Sequence, residues 1–270
     1  MSVLTRTILA CYLILASVEI RSQDFHWKLE NQLEFDSRIT AWTLDSFGAI
    51  FLGFENGATK KLTKELAITY EFQPDDKSAV KSLSLQNSLQ PLVFYEGTQE
   101  FQYLDRFLAN PVDYQLTDLA TDYVQHLTTS EDGYIWFLTN NPIQLNKWNE
   151  NVRESPITVP IQLYMEPNKI NHLQAKNGLI VISDEVLGIV LMDYFGNQLA
   201  HYELQTQGSH QILDDTIVAI VDDYILQIDI STGKYTEIIP PQGQFQGVIK
   251  LSTTDWVFIS DDRISEYRIN

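Results

Sequence analysis

Cysteine is almost absent from this chain. One occurs, Cys11, inside an apolar run over residues 7–18, and none follows in 270 residues. Beyond that run there is no disulfide framework, no cysteine zinc site and no thiol nucleophile. Positive charge is also scarce. Eighteen Lys and Arg stand against 36 Asp and Glu, a formal net charge of −18. That balance repels nucleic acid and anionic membrane surfaces. No apolar stretch after residue 18 is long enough for a membrane span. The 12 glycines form neither G-x-G-x-x-G nor G-x-x-x-x-G-K, so the phosphate-cradling loops of nucleotide enzymes are missing. The G-x-S-x-G nucleophile elbow is missing too. Helical heptads and amphipathic runs do not occur after the N-terminus.

What the N-terminus does have is a single charge at Arg6, the apolar run, and then E-I-R-S-Q. This order of n-region, h-region and small-residue exit predicts a secretory signal peptide over residues 1–22, with Ser22 the last residue removed. I-L-A-C also fits a bacterial lipobox, and lipidation at Cys11 is the alternative. The apolar run continues past Cys11, so cleavage at Ser22 is the reading that removes all of it. The expected location is the periplasm or the cell surface in association with the outer membrane.

The remaining 248 residues, 23–270, repeat. Four-residue starts recur as I-T-A-W at Ile39, V-K-S-L at Val80, V-Q-H-L at Val124, I-N-H-L at Ile170, H-Q-I-L at His210 and V-I-K-L at Val248, at steps of 41, 44, 46, 40 and 38 residues. A turn and a continuous apolar strand follow each start, such as Y-I-W-F-L from Tyr134 and L-I-V-I-S from Leu179. Third strands and more polar fourth strands come next, among them Q-L-A-H-Y-E-L from Gln198. Four strands in about 40 residues, repeated around an axis, predict an all-β fold, a six-bladed β-propeller. Blades stacked face to face explain strands that are apolar on both sides without helices to cover them. The sixth unit ends after its third strand, and D-F-H-W-K-L-E-N from Asp24 is a spare strand to complete it.

The motif D-S-F-G-A-I-F-L-G at Asp45 and its shorter form E-D-G-Y-I-W-F-L at Glu131 resemble the repeat of two-component-regulator propellers, and more loosely NHL and WD40 repeats. The resemblance implies a monomeric propeller fold over nearly all of residues 24–270. It implies no activity, because propellers host many functions. Some six-bladed propellers are lactonases or related hydrolases with calcium at the channel.

Candidate chemistry centres on the starts. His126 and His172 hold the third place in adjacent blades, where two imidazoles could share a metal ion. The plainer expectation is a pair of partly buried histidines bonded to backbone or water. The second places hold Thr40, Lys81, Gln125, Asn171 and Gln211, polar but without the carboxylates that calcium prefers. The pairs Asp75-Asp76, Asp214-Asp215, Asp222-Asp223 and Asp261-Asp262 read as turn formers. P-I-T-V-P-I-Q-L-Y-M-E-P-N from Pro156 interrupts the rhythm. Its Tyr164 and Met165 are candidate partner-binding residues, since Tyr and Met are enriched in interface cores. The sequence therefore points to an exported, non-catalytic propeller that binds a protein partner as a scaffold subunit of a bacterial envelope complex, with no required cofactor. The alternative is a secreted hydrolase or lactonase-like propeller with a channel-bound cation.

Overall fold

The computed structural model describes residues 25–270 apart from residues 86–88, 121, 152–154, 162–165, 167–168, 205 and 207. The N-terminal 1–22 expectation, Cys11, Tyr164 and Met165 lie outside the described residues.

The described strands form six antiparallel sheets of four. The chain enters through β1 (Trp27–Glu34), which is set aside for the last blade. Blade 1 is β2 (Ile39–Leu44), β3 (Ile50–Phe54), β4 (Thr59–Leu62) and β5 (Ile68–Phe72). Blade 2 is β6 (Ser82–Leu85), β7 (Pro91–Tyr95), β8 (Glu100–Tyr103) and β9 (Val112–Gln115). Blade 3 is β10 (Val124–Thr129), β11 (Ile135–Asn140), β12 (Ile143–Trp148) and β13 (Ile157–Val159). Blade 4 is β14 (Ile170–Lys176), β15 (Leu179–Asp184), β16 (Gly188–Asp193) and β17 (Gln198–Tyr202). Blade 5 is β18 (His210–Leu213), β19 (Thr216–Val221), β20 (Tyr224–Asp229) and β21 (Tyr235–Ile238). Blade 6 is β22 (Gly247–Lys250), β23 (Asp255–Ile259) and β24 (Arg263–Ile269), completed by β1. This is the six-bladed propeller, closed by the N-terminal strand.

The continuous apolar runs follow from strand geometry. Successive side chains of a strand point to opposite faces, and each face of a blade meets a different neighbour. In β3, Ile50, Leu52 and Phe54 pack with blade 6, while Phe51 packs with blade 2. In β11, Trp136 and Leu138 pack with blade 4, while Ile135 and Phe137 pack with blade 2. The core is therefore six separate apolar clusters, one in each seam between blades.

The closing strand lies three residues further along than the spare strand expected from Asp24. It pairs Trp27 with Ile269 at one end and Glu34 with Arg263 at the other, with a bulge between Leu29 and Asn31. The anchor is Trp27. Its ring meets Trp256, Phe258 and Tyr267 edge-on, and its Nε1 donates to the Ile239 carbonyl of blade 5 at 2.8 Å. One strand thus ties blade 6 to blade 5 as well as closing its own sheet.

In each blade the first-to-second turn, and in blades 1 to 5 the third-to-fourth turn, lies at one end of the sheet. That end is called the hairpin rim below. Second-to-third turns and blade-to-blade connections share the opposite end, the crossover rim.

Candidate functional site

The six first strands, β2, β6, β10, β14, β18 and β22, line the centre. Their polar side chains reach sideways to the next blade. Thr40 Oγ1 donates to the Val80 carbonyl at 2.6 Å, and Ser82 Oγ to the Leu127 carbonyl at 2.8 Å. His126 Nε2 meets the Ile170 carbonyl at 3.0 Å, and Asn171 Nδ2 donates to the Thr206 carbonyl at 2.6 Å. The Lys250 N–H donates to Gln211 Oε1 at 3.0 Å. Gln246 Nε2, just before β22, donates to the Ile39 carbonyl at 2.9 Å and closes the circle. Every seam carries at least one such latch. Each satisfies a polar group that would otherwise be buried at a penalty.

His126 belongs to this set. A carbonyl only accepts, so its Nε2 carries the proton of a neutral ring. His172 turns instead towards His210. Their Nδ1 atoms are 3.4 Å apart, and the rings meet edge-on with centroids 4.5 Å apart. His210 Nδ1 also lies 2.5 Å from Ser183 Oγ. Burial, with the Lys81 charge adding to it, lowers His126 to about 3 and His172 to about 4. Burial also pushes His210 well below the ordinary histidine range. All three are neutral at pH 7. Among the described residues no group of three or more His, Cys, Asp or Glu stands together as a metal-ligand set.

His210 and Ser183 stand in the sequence analysis only as strand residues and not as site candidates, for a reason of register. The strand pairs of blades 1, 3 and 4 slip by one residue near the start, at Ile39/Ala41, Val124/His126 and Ile170/His172. Blade 5 pairs without a slip, from His210 opposite Ala219 to Leu213 opposite Thr216. Counting places from each start therefore puts His210 at a different level from His172, although the two rings touch.

The neutral histidines have a consequence for stability. The unfolded chain takes up protons at its histidines near pH 6.5, while the folded chain resists until about pH 4 or below. Their contribution is fully present above pH 6.5 and is lost as pH falls below it. Paired carboxylates such as Asp255, held below its ordinary value by the bond to Arg268, titrate under this window. Urea unfolding at pH 7 and pH 5 is expected to show a loss on the order of 1 kcal/mol per pH unit for each buried histidine. His126→Gln, which retains a donor for Ile170, is expected to flatten part of that slope. Equal stability at both pH values would contradict the neutral, buried assignment.

The remaining second-place residue with charge, Lys81, pairs with Glu96 at 3.1 Å. Of the four acidic pairs, the structure brings two together. Asp222-Asp223 and Asp261-Asp262 form second-to-third turns of blades 5 and 6 and line one cleft of about 930 Å³ on the crossover rim, with Phe245 and Gln246. A smaller pocket of about 360 Å³ beside Lys81 and Arg38 shares Gln246. Asp75-Asp76 lies in the connection from blade 1 to blade 2, and Asp214-Asp215 on the hairpin rim. Asp76, Asp214 and Asp222 adopt the left-handed conformation that tight turns use.

Fold and seams together define a six-bladed β-propeller. No family model and no curated protein matches the sequence. Solved structures match in shape. Virginiamycin B lyase from Staphylococcus aureus superposes with a TM-score of 0.63 at 12% identity, over 91% of this chain and 100% of that one. BamB from Moraxella catarrhalis gives 0.51 at 11% identity, over 90% and 98%. A chain of a nidogen/laminin complex gives 0.61 at 8% identity, over 76% and 81%. At such identities the likeness is one of fold.

Proposed function

We propose that this chain is an exported, non-catalytic propeller that binds a protein partner as a scaffold subunit of an envelope complex. The observation that carries the reading is the latch circle. At every seam one polar side chain at the centre, where a propeller enzyme would gather its reacting groups, is engaged with the backbone of the next blade, while His172, His210 and Ser183 contact one another. The loops of the two rims are then the surface left for recognition. The solved neighbours include a chain taken from a complex of two proteins, nidogen and laminin, which agrees with a binding role for this shape. Export rests on the charge, apolar run and small-residue exit of residues 1–22.

The test is affinity capture of the tagged, full-length protein from gently solubilised envelopes, with quantitative mass spectrometry. One protein recovered in near-equal amount is the expected result. Recovery of the chain alone would overturn the reading and return attention to a cation-dependent hydrolase, for which bound calcium by elemental analysis is the next measurement.

A further inference from the structure

Five turns on the hairpin rim share one construction. They begin at Asp45, Thr63, Asp105, Ser130 and Asp193. In each, the first residue's N–H donates to the fifth residue's carbonyl, and the fourth residue's N–H donates back to the first residue's carbonyl. The fourth residue, Gly48, Leu66, Leu108, Gly133 or Gly196, takes a positive φ. In the three aspartate turns one carboxylate oxygen also accepts from the third and fifth backbone N–H groups.

The third residue of this turn faces solvent, and the turn makes no demand on its side chain. One of the five shows this directly with an exposed Glu65, while the exposed Asp132 accepts a hydrogen bond from Ser130 Oγ of its own turn. The other three carry Phe47, Phe107 and Phe195, which are 84%, 45% and 78% exposed. A phenylalanine left in water adds almost nothing to folding. Phe47 and Phe195, at one place in one turn type on one rim, therefore call for an explanation outside the fold, and the half-covered Phe107 holds the same place. The braced turns also hold each ring out as a fixed projection, which lowers the ordering penalty of docking. Arg106 lies over the Phe107 ring at 4.5 Å, and Tyr70 meets it edge-on.

On the described rim, acidic tips lie among the phenylalanine tips, beside uncharged turns at Asn177-Gly178 and residues 251–254, and Glu65 has Lys64 at 3.8 Å. Phe47 and Glu65 belong to blade 1, Phe107 to blade 2, Asp132 to blade 3, Phe195 to blade 4 and Asp214-Asp215 to blade 5. We propose that the hairpin rim is a docking surface for a folded protein whose facing surface has apolar pockets flanked by lysine or arginine. The pockets take the phenylalanines, and the basic residues meet the acidic tips between them. Lipid fits less well, because the acidic tips repel the anionic headgroups that attract peripheral proteins. This rests on the protein-binding reading above and adds the rim and the chemistry of the partner.

The test uses the full-length chain with Phe47→Ser, Phe107→Ser and Phe195→Ser combined. A control carries Val186→Ser and Tyr224→Ser on the crossover rim. A photocrosslinking amino acid replaces Phe47, Phe195 or Tyr224 in turn. The expected result is one partner crosslinked from 47 and 195 but not from 224. The purified partner should bind the triple variant about 100-fold more weakly, bind the control normally, and lose affinity as salt rises. Unfolding curves of Phe47→Ser and Phe195→Ser should match the parent, and the triple variant should lose only the packing of Phe107 on Tyr70 and Arg106. Equal binding by the triple variant, or crosslinking from 224, overturns the rim assignment and leaves the protein-binding reading standing. A dimer of the parent in sedimentation that the triple variant fails to form would make a second copy the occupant. Flotation with phosphatidylcholine vesicles that the triple variant loses would make it lipid. Either overturns the proposed partner. No protein retained by the parent chain overturns both readings together.

Discussion

Gly247→Ala is expected to lower the free energy of unfolding by about 2–3 kcal/mol, a large fraction of the stability of an ordinary domain. Gly247 opens β22 on the seam between blades 6 and 1. A methyl group there would overlap Trp42 Cζ2 and stand 2.5 Å from Cε2. The indole has little room to yield, because it packs against the blade 1 and blade 6 core of Ile50, Leu52, Ile249 and Val257. Urea unfolding of the parent, Gly247→Ala, Trp42→Leu and the double variant checks the cause. The smaller Leu should relieve the overlap, so the two changes together should destabilise by less than their sum. Additive effects would place the damage elsewhere.

Loss of the closing strand should be more severe still. A chain beginning at Phe35 has no β1. Its β24 edge is then unpaired along seven residues, and Trp256, Phe258 and Tyr267 lose the Trp27 ring that meets them. An open edge next to uncovered aromatic surface favours aggregation. The expected outcome is no cooperative thermal transition and light scattering at micromolar concentration. Adding the peptide of residues 25–34 should recover part of the transition, because it restores both the ladder and the ring. A soluble truncated chain with an unchanged midpoint would show that blade 6 stands on three strands.

The propeller was legible in the sequence because its physics is written in period two. A run such as Tyr134 to Leu138 is apolar throughout because alternate residues serve different seams, Trp136 towards blade 4 and Phe137 towards blade 2. The closing strand was legible by subtraction, since the sixth unit lacks a fourth strand. Its paired part begins at Trp27, and Phe25 and Trp27 both pack into the blade 5 and blade 6 seam.

The site was less legible, and the reasons are local. His126 and His172 occupy matching places, yet one ring bonds a backbone carbonyl and the other meets His210. The one-residue slips that set those levels leave no mark in composition. The hairpin rim was present only in fragments. D-S-F-G at Asp45 and E-D-G-Y at Glu131 were visible as a repeat motif. Their equivalence comes from backbone hydrogen bonds, not from spacing. The interface expectation at Tyr164 and Met165 falls outside the described residues. The exposed rings that the structure presents in matched turns belong to the hairpin rim.

The measurement that tests the central claim most directly is the mass of the native particle. The protein would be released gently from envelopes under its own expression level and weighed by light scattering after size exclusion. A binding subunit is expected to elute in a particle well above the 31.0 kDa of the chain, with the second protein present at fixed stoichiometry across the peak. A homogeneous particle of one chain alone would contradict the account.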